Sequence, residues 1–166
     1  MSFNIKNAGG EVKGDFSRLE KLVENLGKKY YVDVGILGKD NETVEGNLTL
    51  AGIGAVLEFG TDKAGRGNKT VIPEASFIRM PLETGQEEIE KAVSAKFQTL
   101  LENGDIKGIF KLIGIGAEAR IQEAFETHGF GKWPPNAEST IERKKSDSRN
   151  IDTGATRQAI TSRVGE

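Results

Sequence analysis

Apolar residues recur along this chain with two different periods, and the period indicates which element each stretch forms. Phe3 and Ile5 alternate with polar neighbours, which predicts a short first strand ending at a Gly9-Gly10 turn. Phe16, Leu19, Leu22, Val23 and Leu26 fall on one side of a helix, with Asp15 or Ser17 able to cap its start and Gly27 placed to stop it. Residues 31–37 are β-branched and aromatic, with Val32, Val34 and Ile36 on one face, and form the clearest strand. A turn follows at 38–41. Residues 47–59 read as a second helix, since Leu50, Ile53, Gly54 and Leu57 have helical spacing and Gly60 stands where a left-handed cap would go. Gly52 and Gly54 each weaken that helix by ~1 kcal/mol relative to Ala, so a neighbouring element is expected to approach closely there. A strand starts near Thr70-Val71-Ile72 and breaks at Pro73.

The second half is helical. Thr84-Gly85-Gln86-Glu87 has the form of a capping box, and Ile89, Ala92, Val93, Phe97, Leu100 and Leu101 pattern the helix after it. Asn103-Gly104 ends that helix. Asp105 then caps another, striped by Ile106, Ile109, Phe110, Ile113, Ala117, Ile121, Ala124 and Phe125. So short a connection predicts an antiparallel or sharply angled pair. Residues 129–150 are rich in Gly, Pro, Asn, Ser and charge and read as an extended loop, with a short helical turn over 139–144. Asp152-Thr153-Gly154 then leads through 155–160 to a last, strand-like stretch over 160–164. The expected class is α+β in a single domain over 1–166. Its small, mainly antiparallel sheet would combine the N-terminal strand, 31–37, the Val71 region and 160–164, packed by the two long helices of 86–127.

Composition narrows the chemistry. A length of 166 residues suits one domain that buries about two thirds of its unfolded surface. A formal charge of −2 gives no general attraction to nucleic acid or anionic membrane. With no cysteine, thiolate catalysis, cysteine zinc sites and disulfides are excluded, and a single histidine, His128, makes a His-centred triad hard to build. The longest uncharged stretch, 46–57, falls well short of the ~20 residues a membrane helix needs. No signal peptide is visible, and a soluble cytosolic product is expected.

Each motif suggestive of chemistry has a plainer reading. Lys69-Thr70 matches only the end of a phosphate-binding loop, because Lys63 and Asn68 stand where its glycines belong. The loop over 61–70 therefore reads as a surface excursion, solvated by Lys63, Arg66 and Lys69. Gly114 and Gly116 fit a weak dinucleotide fingerprint, but the required strand before them is absent, so they read as helix glycines that allow close packing near Ala92. Glu58 closes an apolar run. An acid in the last turn opposes the helix dipole, so it needs a specific partner, and Arg79 is a candidate. His128 reads as a helix-end cap rather than a ligand. Trp133, beside Pro134-Pro135, reads as a plug or an interface anchor. Arg143, Lys144 and Lys145, with Arg149, form a basic cluster without the interleaved aromatics of a nucleic-acid site.

The order of motifs resembles the tail-completion and head–tail joining (neck) proteins of tailed bacteriophages, the HK97-type and Mu-type virion morphogenesis families. The matching residues are Ala51, Glu58-Phe59-Gly60-Thr61, Ile72-Pro73 and Phe77-Ile78-Arg79. They continue with Trp133-Pro134, Ser139-Thr140-Ile141, Arg143-Lys144, Ile151-Asp152-Thr153-Gly154 and Ala159-Ile160. Together they span about residues 30–164. Pro135 and Thr156 stand where leucine is usual, and Glu74-Ala75-Ser76 replaces an Ala-Arg-Pro pattern, so terminator, completion and joining roles stay open.

The resemblance implies a structural virion protein, made in the host cytoplasm. Such a protein forms a ring with itself (a hexamer in related proteins) that completes the tail and contacts the head connector and tail-tube proteins. It implies no catalysis, cofactor, metal or membrane, and allows non-specific contact with DNA in the lumen. Asp152-Thr153-Gly154 reads as turn chemistry. The assembly surfaces would be the helix pair, the 61–70 loop and the 129–150 segment, with the 63–69 and 133–150 stretches ordering fully only against neighbouring subunits. Two other readings of the residues are a small enzyme using Glu58 near glycine-rich turns and a nucleic-acid-binding module using 143–149.

Overall fold

Local patterning fixes most element boundaries in the computed structural model, which describes residues 2–7, 10–15, 17–38, 43–45, 48–65, 67, 69–135 and 155–166; of 2–15, 43–45 and 48 only the backbone is described. The first half contains β1 (Ser2–Asn7), β2 (Gly10–Asp15), α1 (Ser17–Leu26), β3 (Tyr31–Ile36), β4 (Thr43–Glu45), β5 (Leu48–Thr49), α2 (Leu50–Phe59), β6 (Thr61–Ala64) and β7 (Thr70–Ile72). The second half contains α3 (Arg79–Thr84), α4 (Gln86–Glu102), α5 (Ile106–Glu126), α6 (Ala155–Gln158) and β8 (Ile160–Gly165). The class is α+β.

Helix α5 is the central element. Its predicted stripe buries Ile106, Ile109, Ala117, Ile121, Ala124 and Phe125, and Asp105 caps it by accepting the Gly108 N–H at 2.8 Å. The α4–α5 turn ties off the preceding carbonyls: Gly104 N–H donates to Leu101 O at 2.9 Å and Asp105 N–H to Leu100 O at 2.8 Å. On one side α5 meets an antiparallel ladder of β3 and β8, paired from Tyr31↔Gly165 to Ile36↔Ile160. On the other it meets α4. A Cβ on Gly114 would lie 2.9 Å from Ser162 Cβ and 3.3 Å from Val32 Cγ1, while one on Gly116 would lie 3.3 Å from Ile89 Cγ2. Two residues along a helix turn the direction by about 200°, so these glycines serve opposite layers. They sit inside a continuous helix, as their packing reading requires.

This geometry predicts opposite outcomes for one substitution. Gly114→Ala forces the ladder to shift and should cost about 1–3 kcal/mol. Gly116→Ala meets only the Ile89 Cγ2 methyl at 3.3 Å, which has to give by a few tenths of an ångström, and gains helix propensity of ~1 kcal/mol, so it should be close to neutral. Urea unfolding of the two variants checks this, and equal costs would refute the two-sided packing.

The core lies at the C-terminal half of α5, where Ala75, Phe77, Ile121, Ala124, Phe125, Trp133 and Ile160 form one cluster. Phe125 stands edge-on to Trp133 (centroids 5.5 Å apart, 80°) and tilted to Phe77 (5.4 Å, 55°). The C-terminal segment is tied to α5 because Gln122 donates to Arg157 O at 2.8 Å and accepts from Arg157 Nε at 2.6 Å.

Three expectations need correction. The strands do not join one sheet: among the described residues they form four two-stranded ladders, β1–β2, β3–β8, β4–β5 and β6–β7. Each N-terminal and Val71-region strand pairs with its sequence neighbour, and only β3–β8 is a long-range pairing. The capping box at Thr84 is not formed, because Thr84 ends α3 and its hydroxyl donates to Met80 O at 2.8 Å, leaving Gly85 as the N-cap of α4 without a side-chain bond. The stripe of α1 does not enter the core. The helix seats its Arg18–Leu22 backbone on Gly104, with Asn25 donating to Gly104 O at 2.8 Å, and leaves Leu19, Val23 and Leu26 exposed. Helix α4 likewise buries no residue. The 139–144 turn lies outside the described residues.

Candidate functional site

Glu58 lies in the last turn of α2 and is buried, with 6% of its surface exposed. Its carboxylate accepts the Ile78 N–H at 2.8 Å through Oε2, and the Arg79 N–H at 3.0 Å and the Ser76 hydroxyl at 3.4 Å through Oε1. Those amides open α3. The acid that opposes its own helix dipole is therefore placed at the positive end of another helix. In return, residues following Pro73 cap α2: Ala75 N–H donates to Leu57 O at 2.9 Å and Ser76 N–H to Glu58 O at 3.1 Å. The Ser76 hydroxyl also accepts the Met80 N–H at 3.2 Å.

Sequence reasoning treats Glu-Phe-Gly-Thr and Ile-Pro-x-x-x-Phe as two motifs; the structure brings them together as one joint between α2 and α3. Gly60 turns the chain at φ 70°, ψ 175°, and Thr61 then pairs with Ile72 in the β6–β7 ladder. Pro73 follows the ladder, where its missing N–H leaves no bond unmade. Phe77 is fully buried against Phe125. The sequence-predicted partner needs refinement: Arg79 supplies its backbone N–H to Glu58, while its guanidinium pairs with Glu74 and lies 5.8 Å from the Phe59 ring centroid. Phe59 itself is 66% exposed.

Beside the joint is an apolar groove of about 380 Å³ between the end of β3 and α2, lined by Val34, Ile36, Ala51, Ala55, Phe59 and Ile78 among others. Gly54 forms its floor, with Ile36 Cδ1 at 2.9 Å from where a Cβ would sit, which is the close approach expected of that glycine. Among the described residues, Glu58 and Arg79 are its only ionisable lining residues. A second cavity of about 420 Å³ lies between α4 and α5 at Ile89, Val93 and Ile113. Among the described residues, no cluster of His, Asp and Glu could hold a metal, and no helix is long and apolar enough to cross a membrane.

Where the sequence predicts a surface loop over 61–70, Thr61–Ala64 forms β6 and pairs with β7 at Thr70–Ile72, and Lys63 and Lys69 are exposed. Arg66, Arg143, Lys144, Lys145, Asp152, Thr153 and Gly154 lie outside the described residues. Of the two readings of Trp133, plug and interface anchor, its burial fits the plug: it is 8% exposed, and its backbone N–H donates to His128 O at 3.2 Å across a turn in which residues 128–131 all have positive φ. The sequence reading missed Arg120, whose guanidinium lies 3.9 Å from the Phe130 ring centroid and pairs with Glu123 at 2.7 Å. It also missed Ser76, whose only signal is a small hydroxyl ahead of an apolar helix start. No family model, curated protein or solved structure matches the chain.

Proposed function

We propose that this chain is a structural subunit of a phage neck or tail end, building a ring that completes the tail and joins it to the head connector. The observation that carries the reading is uncovered apolar surface. Among the described residues, Leu19, Val23, Leu26, Phe59, Val71 and Phe97 are 43–68% exposed. Leu19, Val23 and Leu26 stand in one row on α1, and an exposed apolar row of this kind is the sort of surface that protein–protein contacts use.

The ordered resemblance of the motifs supports the same reading. Their joint is fold chemistry: the oxygens of Glu58 are engaged by three donors, so the acid is employed in holding two helices together. On this reading the basic residues of the 61–70 stretch, Lys63 and Lys69 among them, and the Arg143-Lys144-Lys145 cluster are available to touch DNA in the lumen, and the protein resides in the virion.

Electron micrographs of particles made without the protein test the proposal. Unjoined heads and tails are expected, restored to full particles when the chain is supplied from a plasmid. Normally joined particles would overturn it.

A further inference from the structure

Helix α5 ends on a backbone that its own sequence disfavours. Residues 128–131 all have positive φ, and two of them, His128 (φ 52°) and Phe130 (φ 56°), are not glycine. The Gly129 N–H donates back to Ala124 O at 2.7 Å, the long return bond of a Schellman cap whose left-handed C′ residue is His128. That motif favours glycine at C′ and an apolar contact between C″ and C3. Here C″ is Gly129 and C3 is Ala124, so neither preference is met. One residue further along both are met: C′ becomes Gly129, and C″ and C3 become Phe130 and Phe125. What holds the observed register lies beyond the cap. The Trp133 indole lies against the Gly129 backbone, where a Cβ would be 2.2 Å from Trp133 Cδ1, and stands edge-on to Phe125. The Arg120 guanidinium lies 3.9 Å from the Phe130 ring centroid. Both clamps carry a cost, because Trp133 Nε1 and Arg120 Nε are buried without a hydrogen-bond partner among the described residues.

We infer that α5 has two alternative C-terminal caps and that the second one releases the Trp133 plug. In the second state His128 takes helical φ, α5 gains one residue and Gly129 supplies the left-handed C′ position. Phe130 then meets Phe125, in place of Trp133. Strain at a non-glycine left-handed residue is exchanged for lost burial of the indole, so the two states are opposed by terms of similar size. One added helical residue turns the outgoing chain by about 100° and advances it about 1.5 Å. The chain after Trp133 therefore has two take-off directions from one helix, a switch of the kind that a strained, bistable turn supports. Neither state needs a second copy of the chain.

Trp133 is the only tryptophan and His128 the only histidine, so each gives one unambiguous NMR signal. Saturation-transfer NMR on the full wild-type chain should reveal a minor state of about 1–10%, exchanging in the microsecond-to-millisecond range or slower. In it the Trp133 indole N–H has the shift of a solvated indole, and the His128 Cα has a helical shift. His128→Gly places glycine at C′ of the observed cap and should lower the minor population about tenfold, because the strain is gone. Gly129→Ala drives a Cβ into the indole and should shift the balance at least tenfold the other way, with the Ile121 amide still protected from exchange. If that variant does not fold, His128→Gly decides alone. No minor state in the wild-type chain, or one whose His128 Cα has an unfolded-chain shift, overturns the second cap. So does a minor population that His128→Gly leaves unchanged or raises, or a folded Gly129→Ala in which Trp133 stays buried.

Discussion

Glu58→Ala should lower the unfolding free energy by about 3–5 kcal/mol, more than any surface substitution in the chain. The side chain is 6% exposed and accepts two backbone N–H groups that have no helix partner of their own. Truncation leaves both donors unpaired, at roughly 1–3 kcal/mol each, and removes an anion from a helix N-terminus, worth about 0.3–1 kcal/mol. Glu58→Gln keeps one acceptor oxygen but turns an amide N–H toward the other donor, so about half the loss is expected. Arg79→Ala provides the contrast, since its contribution to the joint is the main-chain amide, and its half-exposed guanidinium contact with Glu74 should be worth under ~1 kcal/mol. Urea midpoints at constant m-value read all three. A Glu58→Ala loss below ~1 kcal/mol would show that α2 and α3 are joined by something else.

The joint explains why half of the candidate site was hidden in the sequence. Dipole reasoning says that Glu58 needs a partner, and one visible candidate is a cation, Arg79. The actual donors are amides, which every non-proline residue carries, so no letter announces them. Strand β7 was legible in Thr70-Val71-Ile72, but its partner β6 was not: Thr61–Ala64 has no apolar alternation because its middle residues, Asp62 and Lys63, are exposed, and periodicity appears only where one face is buried. In α5 one face meets the core, and there Ile106 through Phe125 could be read directly, together with the Asp105 cap. Helix α1 shows the limit of the same signal. Its stripe declares an apolar face but does not say whether the partner belongs to the same chain. The pairing of β3 with β8 joins the two halves of the protein, and register across such a separation leaves no local mark.

Gly60→Ala should cost about 3–5 kcal/mol, and the origin of that cost can be separated. With φ 70° and ψ 175°, Gly60 occupies a region essentially closed to L side chains, a strain of about 1–3 kcal/mol. A Cβ there would also lie 2.7 Å from Glu74 N and 2.8 Å from Ile72 O. Those atoms are backbone, with no rotamer to swing away, so overpacking adds about 1–3 kcal/mol. Gly131 provides the control, because it has φ 74° and nothing within 4 Å of its would-be Cβ. Gly131→Ala should show strain alone. The clash at Gly60 pushes residues 72–74 away from α2, which is the same displacement that pulls the Ile78 and Arg79 amides off Glu58. The two lesions therefore share one joint, and Glu58→Ala combined with Gly60→Ala should lose at least ~1 kcal/mol less than the sum of the single changes. Strict additivity would mean that the turn and the carboxylate hold separate parts of the molecule, and the reciprocal capping of α2 and α3 would have to be abandoned.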